Sequence, residues 1–186
     1  MARIGHSELP FKPHRRPLNF ADQALPVLAP PKTSRHAMNV AFRPALPEDF
    51  DYCERLYFAE MERINRELKL DRDVQVTSFR RQWDVTQVRI VTLDGADIGW
   101  LQSATRDGAY FLAQIFVEPS RQRRGIGTEV IHRLISEATR AGQAMTLAVV
   151  KINPAKRLYD RLGFRVVGDD ERKFYMRREP ATLASR

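Results

Sequence analysis

From Val40 onward, short apolar runs alternate with stretches of helical periodicity, and an order of elements can be read from them. Val40–Arg43 reads as a strand. After Pro47, apolar residues recur at Phe50, Cys53, Leu56, Tyr57, Met61 and Ile64, the spacing of one helix face. Proline at its head and acids at Glu48, Asp49 and Asp51 suit a helix N-terminus, where unpaired N–H groups favour negative charge. A shorter second helix is expected over Thr77 to Asp84. Val88–Val91 and Ile98–Leu101 read as strands joined by the hairpin turn Asp94-Gly95. Arg106-Asp107-Gly108 turns the chain again into Tyr110–Val117, so strands two to four are expected to form an antiparallel meander.

A longer helix is predicted from Arg124 to Ala141, with Ile126, Val130, Ile131, Leu134, Ile135 and Ala138 on one face and Gly142 just past its end. Met145–Val150 is continuously apolar, as expected of a buried strand. Asn153-Pro154 reads as a helix cap followed by proline at the first helical position, with the helix running to Leu162 and Gly163. Val166-Val167 and Lys173–Arg177 close the pattern as a hairpin. Residues 1–38 are different: they hold six of the 11 prolines, which break regular elements. The expected organisation is an irregular Pro/basic-rich extension over 1–38, a folded domain over 39–178 and a loose tail over 179–186. Met38 stands directly before the first strand and is an alternative start for the chain.

Composition narrows the function classes. The 186 residues are 43% hydrophobic, with 10 Phe and 2 Trp, enough for a sizeable core. No apolar run approaches the roughly 20 residues that span a bilayer, and no secretory-type segment opens the chain; a cytoplasmic location without membrane attachment is the expectation. The single cysteine, Cys53, allows no internal disulfide and no thiolate metal cage, so no metal is expected. On the apolar helix face it reads as a small buried hydrophobe. Half of the net charge of +8 lies in residues 1–38. The remainder is mildly basic, which suits a phosphate-rich ligand, and it lacks the basic–aromatic stripe that would track a nucleic acid.

The most informative stretch joins the fourth strand to the long helix: Val117-Glu118-Pro119-Ser120-Arg121-Gln122-Arg123-Arg124-Gly125-Ile126-Gly127-Thr128. Two glycines allow close backbone approach to a ligand, and the helix beyond them offers unpaired N–H groups and the positive end of its dipole. Such a bend suits a diphosphate. It is not a P-loop, because Thr128-Glu129 stands where Lys-Ser/Thr is needed. The dinucleotide fingerprint requires a small residue where Val130 stands.

This stretch resembles the signature of the GNAT superfamily of N-acetyltransferases: Gln122-Arg123-Arg124-Gly125-Ile126-Gly127 fits every fixed position after a strand ending in Val-x-Pro. A second family motif follows at Asn153, Ala155, Leu158-Tyr159 and Leu162-Gly163-Phe164. The resemblance runs from Val40 to about Arg178 and implies an α/β (α+β) fold. Its sheet would be mixed, mostly antiparallel and six- to seven-stranded, flanked by about four helices, with the fourth and fifth strands splayed apart. It implies acetyl-CoA as cosubstrate and direct transfer of the acetyl group to an amine of a small molecule or peptide. The pantetheine arm would lie between Ile115-Phe116-Val117 and Val149-Val150-Lys151, pairing with backbone groups of Phe116 and Val117. The amide of Val117 would serve as an oxyanion donor. Residues Gln122, Arg123, Arg124, Gly125, Ile126, Gly127 and Thr128 would hold the coenzyme, with Asn153, Lys156 and Tyr159 contributing.

Tyr159 takes the place of the family's general acid, which protonates the departing thiolate; its alternative is a core tyrosine packing helix on sheet. The base is open. The strand Tyr110–Val117 carries no carboxylate, and Gln114 cannot take a proton. Glu60 and Glu118 are the candidates, beside a water relay or an amine that arrives neutral. A second reading of the chain is a GNAT module that senses acyl-CoA without turnover. Dimers are common in the family, and a homodimer is one state the resemblance allows. Trp83 and Trp100 read as core, and His132, Arg80 and Arg81 as solvated helix faces.

Overall fold

The computed structural model describes residues 38–181. The expected irregular extension lies outside these residues apart from Met38, as does the tail beyond position 181. A seven-stranded sheet has the order β1-β2-β3-β4-β5-β7-β6. Its strands are β1 (Val40–Pro44), β2 (Val88–Leu93), β3 (Ala96–Arg106), β4 (Ala109–Val117), β5 (Met145–Val150), β6 (Arg165–Asp169) and β7 (Lys173–Arg178). All neighbours pair antiparallel except β4 and β5, which run parallel. Four helices flank the sheet: α1 (Phe50–Glu67), α2 (Arg72–Gln82), α3 (Ile126–Arg140) and α4 (Lys156–Arg161). None of the described helices is long and apolar enough to cross a membrane.

Strand alternation divides the core into two layers. Ile90, Trp100 and Phe116 stand opposite one another in register, and this row packs with Cys53, Leu56 and Phe58 of α1 and Phe79 of α2. The other face, with Leu101, Leu112, Leu147 and Val149, meets the apolar face of α3 and Tyr159 of α4. The first layer is dominated by aromatic rings: Trp100 lies 5.1 Å from Phe116 and 6.0 Å from Phe79. Cys53 is fully buried there, and burial pushes its thiol up to about 12, so it is inert at neutral pH.

The boundaries differ from the sequence pattern where local hydrogen bonding outweighs periodicity. α2 begins at Arg72 rather than Thr77, because the Asp71 side chain accepts the Val74 N–H at 2.9 Å. Phe79 is its one buried residue, so apolar spacing marks the helix only faintly. α3 starts at Ile126, two residues later than expected, because Gly125 takes a left-handed conformation with φ of 85°. α4 proper starts at Lys156 rather than Pro154. Its first turn is tightened by bonds from Lys156 N to Asn153 O and from Arg157 N to Pro154 O. Phe58, outside the predicted apolar stripe of α1, is buried beneath the Arg72 guanidinium, which lies 4.9 Å from its ring centroid.

Candidate functional site

The parallel pairing of β4 with β5 covers only Tyr110–Leu112 and Met145–Leu147. One cause lies in β4: its register against β3 steps from Gln114 to Leu112, which leaves Ala113 as an extra, bulged residue. A bulge bends its strand and disrupts the ladder, and beyond it β4 is held by β3 alone. The close approach of those two strands depends on Gly99, where an added Cβ would stand 2.2 Å from the Phe116 carbonyl oxygen.

The gap has directional backbone groups. Glu118 N–H donates to Ile98 O at 2.8 Å, and the Phe116 oxygen lies against Gly99. In an antiparallel ladder such groups alternate in direction, so Ile115 and Val117 turn theirs toward the gap. Of the two backbone positions expected from the sequence, Val117 therefore faces the gap, whereas the Phe116 carbonyl is turned to β3. The Val117 carbonyl accepts Gln122 Nε2 at 2.8 Å, and the same amide donates to Glu60 Oε2 at 2.5 Å. Gln122 thereby ties the end of β4 to α1.

After Gln122 the backbone enters the left-handed region at Arg123 (φ 59°) and again at Gly125. Among the described residues, no group accepts an N–H of residues 123–128. These bare amides sit at the start of a 15-residue helix, an arrangement suited to an anion. They border a cavity of about 510 Å³ lined by Gln122, Arg123, Gly127, Asn153 and Tyr159, with Arg63 contributed by α1. Ile126 is buried in the core, Arg124 and Gly125 are exposed, and none of these three nor Thr128 lines the cavity.

A second cavity, of about 360 Å³, opens on the other side of the gap, between β4, β5, β7, α1 and α2. The two cavities share Met61, Ile115, Phe116, Asn153 and Tyr159, so the gap connects them. Tyr159 is 7% exposed, its ring 5.7 Å from Phe164, and its hydroxyl makes no hydrogen bond among the described residues. Burial pushes this phenol up to about 12, which keeps its proton in place at neutral pH. Asn153 Oδ1 accepts the Ala155 N–H at 2.9 Å, fixing the turn that presents Tyr159.

Other expected site residues lie elsewhere. Lys156 pairs with Asp160 at 2.9 Å and lies 5.3 Å from the Phe174 ring centroid, outside both cavities. Glu118 also lies outside them and accepts the Tyr52 hydroxyl at 3.2 Å. Glu60 lines the larger cavity, not the smaller one. Sequence reasoning named none of the individual residues that α2 and β7 bring to the smaller cavity, Gln75, Ser78, Gln82 and Lys173; no local pattern marks them. Among the described residues no group of His, Cys, Asp and Glu is placed to hold a metal ion.

The model of the acetyltransferase (GNAT) domain matches residues 84–166, the span from the end of α2 to β6. Among solved structures, the paia N-acetyltransferase of Thermoplasma acidophilum in complex with coenzyme A is 15% identical, with a TM-score of 0.60 over 76% of this chain and 99% of that one. An acetyltransferase of the GNAT family from Bacillus cereus is 16% identical, with a TM-score of 0.54 over 75% and 96%. An acetyltransferase from Thermus thermophilus is 18% identical, with a TM-score of 0.53 over 75% and 96%. No curated protein matches the chain by sequence.

Proposed function

We propose that this chain is a GNAT acetyltransferase, a reading supported by the match over residues 84–166, and that it moves an acetyl group from acetyl-CoA to an amine by direct attack, without an acyl-enzyme. The observation that carries this reading is the parting of β4 from β5 after Leu112 and Leu147, with Tyr159 on both cavities that meet there. The larger cavity, bordered by bare N–H groups of residues 123–128 and by Arg63 and Arg123, fits a diphosphate and the arm beyond it. The presence of coenzyme A in the Thermoplasma acidophilum relative is consistent with that assignment.

In this mechanism the Val117 amide stabilises the oxygen that becomes negative when the amine nitrogen bonds to the thioester carbon. As the carbon–sulfur bond breaks, the Tyr159 phenol gives its proton to the sulfur. The proton lost by the attacking nitrogen returns to the Tyr159 oxygen through water, so the products are the N-acetylated amine and the free thiol. Glu60 is held by Gln122 on the coenzyme side, and Glu118 by Tyr52; neither lines the acceptor-side cavity.

That cavity's lack of a carboxylate among its described lining residues favours one second reading, an acyl-CoA sensor without turnover. Calorimetric titration with acetyl-CoA, combined with a free-thiol assay over several amine classes, separates the two. Saturable binding with amine-dependent thiol release is expected. Binding without release under any amine selects the sensor, and absence of binding removes both readings.

A further inference from the structure

The smaller cavity contains a polar problem that its own residues leave unsolved. Gln102 and Gln114 are directly opposite each other in the β3–β4 register, so their side chains share one face with Cβ atoms about 5 Å apart. Gln102 is 5% exposed and spends its Nε2 on the Gln82 carbonyl at 2.8 Å. Its Oε1 and the Oε1 of Gln114 are both buried without a donor. A buried carbonyl oxygen with no donor is unfavourable, because it gives up its hydrogen bonds to water and gains none in return. Turning the Gln114 amide over puts its NH2, a donor, where its unpaired buried oxygen stood, and brings its own oxygen to the more accessible side, on the cavity that Gln114 lines. An amide has nearly the same shape in both orientations, and hydrogen bonding chooses between them. The oxygen brought to the cavity then asks for an N–H.

We propose that Gln114 seats the acceptor by accepting one of its amine N–H groups, and that the acceptor is a weakly basic amine of the α-amino class, taken up in its neutral form. This rests on the acetyl-transfer reading above and adds the substrate class to it.

The cavity's charges point the same way. Its titratable groups are Tyr57 from α1, Tyr159 from α4 and Lys173 from β7; α2 contributes the neutral Gln75, Ser78 and Gln82, and β5 contributes apolar side chains. Lys173 is opposite Val150 in the ladder and on the face away from Phe174. An alkylammonium would enter beside this cation with no counter-ion and no carboxylate to take its proton among the described lining residues. At pH 7.5 an amine of the lysine type, pKa about 10.4, is roughly 0.1% neutral, whereas an α-amine near 7.8 is about one-third neutral. The available neutral fraction therefore differs about 250-fold before any contact is made.

The experiment uses the full chain with acetyl-CoA and two probes, alanyl-alaninamide for the α-amine and Nα-acetyl-lysinamide for the ε-amine. Thiol release is followed from pH 6.5 to 9.5, and coenzyme affinity is measured by calorimetry. The wild type is expected to prefer the α-amine at least 100-fold in kcat/KM at pH 7.5, with kcat/KM rising with pH and levelling near the amine's own pKa. Gln114→Leu should raise the acceptor KM at least tenfold with coenzyme Kd unchanged. Gln114→Glu, nearly the same shape, supplies a proton acceptor and should narrow the preference at least tenfold. Equal or reversed preference in the wild type, or an unchanged acceptor KM in a folded Gln114→Leu, overturns the inference while leaving acetyl transfer intact. Coenzyme binding without thiol release from either probe overturns the inference alone, and absence of coenzyme binding overturns both. Should Gln114→Leu fail to fold, the wild-type preference and the Gln114→Glu shift decide the matter.

Discussion

The two sides of the gap between β4 and β5 are built from different materials. On the side proposed for the coenzyme, one continuous segment dominates: residues 122–128 supply a row of bare amides, two left-handed positions and the start of α3. On the side proposed for the acceptor, the cavity is assembled from side chains of α1, α2, β4, β5 and β7, brought together over the aromatic layer of Trp100, Phe116 and Phe79. Backbone chemistry depends on local conformation and tolerates many side chains. Side-chain chemistry depends on packing, and each contributing element has to be in place. Damage to the core should therefore fall on the acceptor side first, and damage to the bend on the coenzyme side.

The sharpest way to break this division is Trp100→Ala, which empties the floor of the acceptor side. Loss of a fully buried indole should cost about 3–5 kcal/mol, read as a drop in denaturation midpoint. Any folded fraction should lose acceptor binding more than coenzyme binding; the reverse order would break the comparison.

Tyr159→Phe probes the junction of the two sides. Turnover should fall about 100-fold, with coenzyme Kd and acceptor KM nearly unchanged; lost affinity at normal turnover would remove the acid role. The same residue gives a pH dependence. Burial pushes its phenol up to about 12, above the ordinary phenol value of 10.0. The neutral form is favoured in the folded state, so its contribution to stability is complete below pH 10 and is lost as pH rises toward 12. Chemical denaturation across that window should show a shallower decline in Tyr159→Phe than in wild type.

Gly125→Val tests the coenzyme side. A β-branched residue at a φ of 85° is strained by about 1–3 kcal/mol. The bend should distort and coenzyme affinity should fall at least tenfold, with the acceptor-side aromatic fluorescence preserved. The smallest effect is expected from Lys156→Ala. Its exposed pair with Asp160, one helical turn away, contributes about 0.2–0.5 kcal/mol, and coenzyme affinity should stay unchanged, as measured by calorimetry. A large loss of affinity would return Lys156 to the phosphates, where the sequence reading had placed it.

Most of the strand order along the chain and the apolar face of α3 are legible without coordinates, because periodicity reports directly which face is buried. The bend is legible too: glycines mark the left-handed position at Gly125, and a helix start guarantees free N–H groups. α2 is the poorest reading, since one buried residue, Phe79, leaves no stripe to detect, and only the Asp71 cap marks its start. Glu60 shows the limit of positional reasoning. The helical spacing puts it near the apolar face of α1, but only the fold decides that Gln122 holds it on the coenzyme side.

The sequence by itself determined the local conformations: the element order, the bend at Gly125 and the placement of Tyr159 on a short helix after Asn153. Each of these follows from interactions within a few residues, which local composition encodes. The tertiary structure alone decided the bulge at Ala113, the direction of the Val117 and Phe116 backbone groups, the meeting of Gln102 with Gln114, and the arrival of Lys173 in the acceptor cavity. Those depend on register and crossover between segments distant in the chain, where a shift of one residue turns a side chain to the opposite face of the sheet.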